Sequence, residues 1–292
     1  MRVIGYRSQR TLAAPAEMPG VGFITGDRVR VRFCPAPANS GIVFRRTDRP
    51  DSPAVPAHTS QVAGTDRRTT LGPADAGVTL TEHLLAAFAG LRIDNCLIEL
   101  EGNEPPGLDG SAADFVNHLR KAGAVLQAAQ RPIWAVDRPR IASTTGATIA
   151  LHPADGLALR ASYILDYGFG SPIPRQIYTL EVTPENFGAE VASSRTFAME
   201  AEARAMKAMG IAPHLTEADV LVFGKGGLIN NRLRSADEPA RHKVLDMLGD
   251  LALCGFDLAG HLVAYRSGHA LNVELARRLV ADAQAAISRA AA

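Results

Sequence analysis

RHKVLDMLGDLALCG, Arg241 to Gly255, has the apolar spacing of one helix, with Val244, Leu245, Leu248 and Leu251 on its greasy side. His242, Asp246 and Asp250 fall at i, i+4 and i+8, a single polar stripe on that element. TEHLLAAFAG (Thr81–Gly90) repeats the plan, with a Thr–Glu start, Leu and Phe at helical spacing and a closing glycine. Laying His83 over His242 also lays Gly90 over Gly249. A β-rich run follows each helix, CLIELEG (Cys96–Gly102) and HLVAYRSGH (His261–His269). This echo predicts an α+β protein of two units of similar plan, helices segregated to one face of each sheet and packed on each other. The first unit is expected over 1–127 and the second over 128–292, joined by a short link from Gln127 to Arg131.

Working outward, VRVRFCPA (Val29–Ala36) and GIVFRR (Gly41–Arg46) alternate apolar and basic residues around a Pro/Ala/Asn/Ser turn, which predicts a hairpin. LDGSAADFVNHLRKAG predicts a second helix ending at Gly123, with Ser111 able to cap it. Ser194–Met209 reads as an Ala/Glu/Met-rich helical stretch, FGKGGLINN as a loop, and LNVELARRLVADAQAAISRAA as a closing helix.

Composition excludes several classes. Among 292 residues, 31 basic side chains stand against 30 acidic ones, which gives no reason to expect nucleic acid or an anionic membrane as partner. Cys34, Cys96 and Cys254 are far apart and form no CxxC, against a disulfide scaffold or a cysteine-rich zinc module. The longest apolar run, near Leu84–Leu91, is far short of the roughly 20 residues of a membrane span. The first residues carry arginines and no apolar core of a signal peptide. A cytoplasmic globular protein is expected.

A histidine and a carboxylate one helical turn apart can share a cation, as two histidines do in the HExxH zinc helix. The alternative for His242, Asp246 and Asp250 is a capping histidine with two solvated carboxylates. A catalytic metal site needs a third ligand and one open position, and His83 is the natural source, with Glu82 as the base beside it. The bland alternative is a first-turn glutamate favoured by the helix dipole, next to a surface histidine. Ser267-Gly268-His269 forms the exit loop of a strand, where catalytic groups tend to sit. Should Asp250 reach His269, the carboxylate would hold the ring and favour its cation, which can stabilise an oxyanion or protonate a leaving amine.

The order of these pieces resembles the UDP-3-O-acyl-N-acetylglucosamine deacetylases of lipid A biosynthesis, metal-dependent amidohydrolases. The likeness runs through QRTL (Gln9–Leu12), GVGFITG (Gly20–Gly26), PAPANSGIVFRRTD (Pro35–Asp48), TLTEHLLAAFAGLRIDNCLIEL (Thr79–Leu100), LDGSAADFV (Leu108–Val116), SSRTF (Ser193–Phe197), RHKVLDMLGDLALCG and YRSGHALN (Tyr265–Asn272). The resemblance implies two α+β domains with helices sandwiched between two sheets. It implies zinc, with iron(II) as the alternative, on His83, His242 and Asp246. Glu82 matches the general base, His269 the catalytic histidine with Asp250 as its partner, and Thr196 the hydroxyl that steadies the oxyanion. Phe197, Lys243 and Arg266 match positions that meet substrate, and Asp166 and Tyr167 resemble the acidic–aromatic pair that holds the nucleotide. Met199–Leu228 corresponds to an insert that makes an acyl-chain tunnel. The implied partner is a UDP-linked acylated amino sugar, and the chain is expected to work as a monomer. Ile24 departs from the family, which usually has histidine there, and FGKGGLINN replaces a longer acidic stretch. Two alternatives stand beside this reading: a paralogue deacetylating another N-acylated sugar nucleotide, and a sugar-nucleotide-binding relative without turnover.

Overall fold

A computed structural model describes residues 1–291. Alternation builds the first sheet. In β3 (Arg28–Pro35), Val29, Val31 and Phe33 are buried while the intervening arginines face water. It lies between β2 (Ala16–Val21) and β8 (Cys96–Glu101), and β4 (Ile42–Arg46) and β5 (Val55–Pro56) complete the order β2-β3-β8-β4-β5. The expected hairpin of β3 with β4 does not form. Instead β8 sits between them, antiparallel to β3 and parallel to β4, with Cys96 opposite both Pro35 and Ile42. A parallel pair needs a long crossover, and the chain between β4 and β8 supplies it: β6 (Val62–Gly64), β7 (Thr70–Leu71) and helix α1 (Glu82–Gly90). Helix α2 (Ala113–Ala122) follows β8.

The larger sheet runs β1 (Arg2–Leu12), β9 (Ala124–Ala135), β17 (Asp257–Tyr265), β11 (Ala147–His152) and β10 (Arg140–Thr144). Strand β12 (Leu159–Leu165) pairs with β17 and with β13 (Gln176–Glu181). Gln127–Arg131, expected as a link, is the middle of β9. Its polar side chains are committed across the molecule: Gln127 accepts from Asn95 (2.7 Å) and donates to the Ala36 carbonyl (2.9 Å). Arg131 meets Asp257 at 2.6 Å and Asp94 at 3.1 Å. Polar residues that read as a solvated connection are the cross-ties of the two halves.

Further along come short helix α3 (Pro184–Asn186), β14 (Phe197–Met199), α4 (Glu200–Ala208), β15 (Leu221–Gly224) and β16 (Gly227–Leu228). The helical stretch expected over Ser194–Met209 is confined to α4, because the backbone of Thr196–Met199 is claimed by Gly110 and by β15. FGKGGLINN is a tight β15–β16 hairpin rather than an open loop. Helices α5 (Glu238–Leu251) and α6 (His269–Ala291) close the chain. The two-domain α+β sandwich is thus observed, with helices between the sheets. Among the described residues no helix is long and apolar enough to cross a membrane.

Helices α1 and α5 are buried nearly all round, as elements between two sheets must be. Gly249 allows their closest approach: a Cβ there would stand 2.0 Å from the Glu82 carbonyl oxygen. Its counterpart Gly90 lies under the Phe187 ring, 2.3 Å from where a Cβ would be. Gly249→Ala is therefore expected to lower stability by about 1–3 kcal/mol, the usual cost of overpacking. Thermal unfolding measures this, and turnover should fall with it because the displaced backbone carries Glu82 and His83.

Candidate active site

The α1–α5 contact brings the two halves' polar groups to one point. His83 Nε2 lies 3.5 Å from Asp246 Oδ1, and His242 Nε2 lies 3.3 Å from the same oxygen. One donor atom from each residue falls within 4.8 Å of the others. Donors held about 2.0–2.1 Å from one tetrahedral ion stand about 3.3–3.4 Å apart, so the spacing suits a shared cation. Asp246 Oδ1 is also the one fully buried side-chain oxygen without a hydrogen-bond partner among the described residues. An orphaned buried carboxylate oxygen is costly unless something cationic meets it. The donor set, two imidazoles and a carboxylate, fits a divalent transition metal.

The surroundings tune the ligands. The Ser194 carbonyl, 3.0 Å from His242 Nδ1, can only accept, so that nitrogen carries the proton and Nε2 keeps its lone pair for a metal. Burial pushes the His242 pKa down to about 3 against the pull of Asp246, leaving a neutral ring. Lys243 Nζ donates to Asp246 Oδ2 at 2.8 Å. Burial works to raise the Asp246 pKa, but the adjoining His242 imidazole and the Lys243 cation outweigh it and hold the carboxyl well below its usual range.

Beside this cluster, Glu82 is 2% exposed. Burial raises its pKa, which moves a carboxylate toward the range of a useful general base. Oε2 accepts from the Thr69 amide at 3.0 Å, while Oε1 lies 4.0 Å from His269 Nε2. His269 is the first residue of α6 rather than part of a loop, since helical spacing already begins at Gly268, whose carbonyl accepts from Asn272. Its Nδ1 bonds Asp250 Oδ2 at 2.8 Å. Burial lowers the His269 pKa, but the charge and hydrogen bond of Asp250 more than reverse this and place it at about 10. The ring is therefore a cation at neutral pH.

These groups sit in a cavity of about 1050 Å³, which Thr196, Phe197, Tyr167, Lys243 and Arg266 also line. Lys243 Nζ stands 5.3 Å from the centre of the Phe197 ring, and Tyr167 packs edge-on to Phe197 at 6.1 Å. Asp166 is at the cavity edge with its carboxylate already engaged. It accepts from Arg175 (2.6 Å) and the Gly168 amide (2.8 Å), and Arg266 stands 3.1 Å away. The Met199–Leu228 segment adds a mixed lining, with Met206, Ile211, Leu215 and Val222 beside charged residues such as Glu202, Arg204 and Lys207; Ile24 also lines the cavity, and its carbonyl accepts from the Ala212 amide at 3.1 Å. Leu80 and Arg266, just before Glu82 and His269, hold left-handed backbone (φ 55° and 52°), strain of the kind stored at functional sites.

Sequence reasoning missed the supporting shell. Thr69, Ser194, Asn272 and Tyr163 each bond a site residue or its neighbour. So does the buried Arg195–Glu238 pair (2.8 Å), which ties Thr196 to the start of α5. None has a periodic signal of its own; only Ser194, Arg195 and Asn272 lie within the family-like stretches SSRTF and YRSGHALN.

Comparison with known proteins identifies the family. The family model described as UDP-3-O-acyl N-acetylglycosamine deacetylase matches residues 9–281. A UDP-3-O-acyl-N-acetylglucosamine deacetylase of Trichormus variabilis is 39% identical over 278 residues, covering 94% of this chain and 98% of that one. One of Solibacter usitatus is 36% identical over 277 residues, covering 94% and 92%. A bifunctional enzyme LpxC/FabZ of Chlorobaculum tepidum is 38% identical over 309 residues, covering 93% of this chain and 64% of its own. The chain belongs to the UDP-3-O-acyl N-acetylglycosamine deacetylase family.

Proposed function

We propose that His83, His242 and Asp246 hold zinc, that Glu82 and His269 do the proton chemistry, and that Met199–Leu228 forms a tunnel for the acyl chain. The protein is a deacetylase that hydrolyses the N-acetyl group of UDP-3-O-acyl-N-acetylglucosamine in lipid A biosynthesis. The observation that carries the site reading is the orphaned Asp246 oxygen facing two imidazoles, with an acid–base pair alongside.

A divalent metal bound there supplies a Lewis acid for the acetamide carbonyl and makes water more acidic. The protein's own groups do the rest. Glu82 takes a proton from water as the water oxygen adds to the carbonyl carbon. The Thr196 hydroxyl and the His269 cation steady the oxyanion. The C–N bond then breaks, the amine leaves with a proton from a protonated side chain of the site, and acetate and the free 2-amino sugar nucleotide result. Lys243 and Arg266 face the diphosphate, Tyr167 stacks on uracil, and Asp166 acts by orienting Arg266. The sequence division at 127/128, which falls within β9, leaves Glu82 and His83 on one side and His242 and Asp246 on the other.

Acetate release from the UDP-linked substrate with and without its 3-O-acyl chain tests this. The tunnel reading expects a preference of about 10²-fold or more for the acylated form, as remote binding energy is used at the reacting centre. Equal rates would refute the tunnel, and no release from either would refute the deacetylase.

The His269–Asp250 pair gives a pH signature. A histidine pKa raised from 6.5 to about 10 adds stability fully present below pH 6.5 and lost as pH climbs through about 10. In Asp250→Asn, burial is left to act against only the weaker pull of Glu82 and Asp246. The alkaline limb of the kcat profile is expected to move down toward or below 6.5, measured from pH 5 to 10.5. An unmoved limb would show that His269 does not set it.

A further inference from the structure

We infer that Thr69 is a positioning residue that sets the general base and the histidine–aspartate pair against each other; the inference rests on the roles given above to Glu82 and His269. Thr69 lies just before β7 and is fully buried. All three of its polar groups are hydrogen-bonded, two of them to carboxylates of the site. Its amide donates to Glu82 Oε2 at 3.0 Å, and its hydroxyl donates to Asp250 Oδ1 at 2.6 Å. Its carbonyl accepts from the amide and hydroxyl of Thr81, the residue before α1, each at 3.3 Å.

The consequences follow from counting lone pairs. With Oε2 of Glu82 tied down, the oxygen left to face His269 and the reacting water is Oε1. With Oδ1 of Asp250 taken by Thr69, Oδ2 is left for His269 Nδ1 and for Asn272 Nδ2 at 2.9 Å. Asn272 is itself held by the Ser267 hydroxyl at 2.6 Å. One residue thus fixes the rotation of both carboxylates, which come from different halves of the chain. A hydroxyl that donates to a carboxylate is a charge-assisted bond, short and directional. Its loss would let Asp250 swing about its Cβ–Cγ bond and take the imidazole with it. Misplacement on that scale lowers turnover without weakening the substrate's own contacts.

Thr69→Val is nearly isosteric, keeps the amide bond to Glu82 and removes only the hydroxyl. It is expected to lower kcat about 10- to 100-fold, the usual worth of one hydrogen bond to a charged group read as a rate. KM should stay within about 2-fold and metal content should not change. Thr69→Ser should recover most of the lost rate. In an Asp250→Asn background the valine change should add less than about 2-fold, because the charged carboxylate that Thr69 orients against His269 is already gone. Should the valine chain fail to fold, Thr69→Ala against Thr69→Ser reads the same difference. The assignment is overturned if Thr69→Val keeps wild-type kcat, if serine does no better than alanine, or if the valine loss is undiminished beside Asp250→Asn. Full activity in Asp250→Asn alone would instead overturn the role of the pair itself, and Thr69 with it.

Discussion

Replacing Glu82 by glutamine is expected to lower kcat by about 10³-fold while the protein stays folded and binds its metal. General-base catalysis is worth about 10²–10⁴-fold, and Glu82 has the attributes of such a base. It is buried, its pKa is raised by that burial, and one oxygen faces the cationic His269 at 4.0 Å. Glutamine preserves the volume and the acceptor for the Thr69 amide, so the loss measures proton transfer rather than packing. Steady-state kinetics with metal analysis on the same sample checks it. Full turnover with metal in place would remove Glu82 from the chemistry.

The second large effect concerns the ligands. His242→Ala should abolish metal binding and reduce turnover to the detection limit. Its ring is 1% exposed, its tautomer is fixed by Ser194, and burial keeps it neutral. Among the described residues the one other imidazole beside Asp246 Oδ1 is His83, which the site already uses. The same variant should lose metal-dependent stabilisation. A ligand present at about 1,000 times its Kd adds about 4.1 kcal/mol to the folded state, so wild-type Tm should rise on adding metal and that of His242→Ala should not. Calorimetry with and without a chelator measures both.

The parts of this protein legible in sequence are those with local periodicity. The apolar spacing around His242, Asp246 and Asp250 marks α5 and its polar stripe, and TEHLLAAFAG marks α1 with its buried glutamate and half-buried histidine. Strand order was not legible. β3 and β4 look like hairpin partners in isolation, yet Cys96–Glu101 alternates buried and half-exposed residues and outcompetes both for the centre of the sheet. Gln127–Arg131 looked like a solvated link because satisfied cross-sheet polar groups and exposed ones share a composition. Thr69 and Ser194 carry no pattern at all, since a backbone carbonyl or one hydroxyl reaching across 181 residues leaves no trace in spacing.

X-ray absorption at the zinc edge, on protein loaded with one equivalent of zinc, addresses the central claim most directly. Two imidazole nitrogens at about 2.0–2.1 Å with oxygen completing a sulfur-free shell, and one nitrogen lost in His83→Ala, is the expected result. A sulfur ligand, a shell holding a single imidazole, or a spectrum unchanged by His83→Ala would contradict a metal shared between the two halves of the chain.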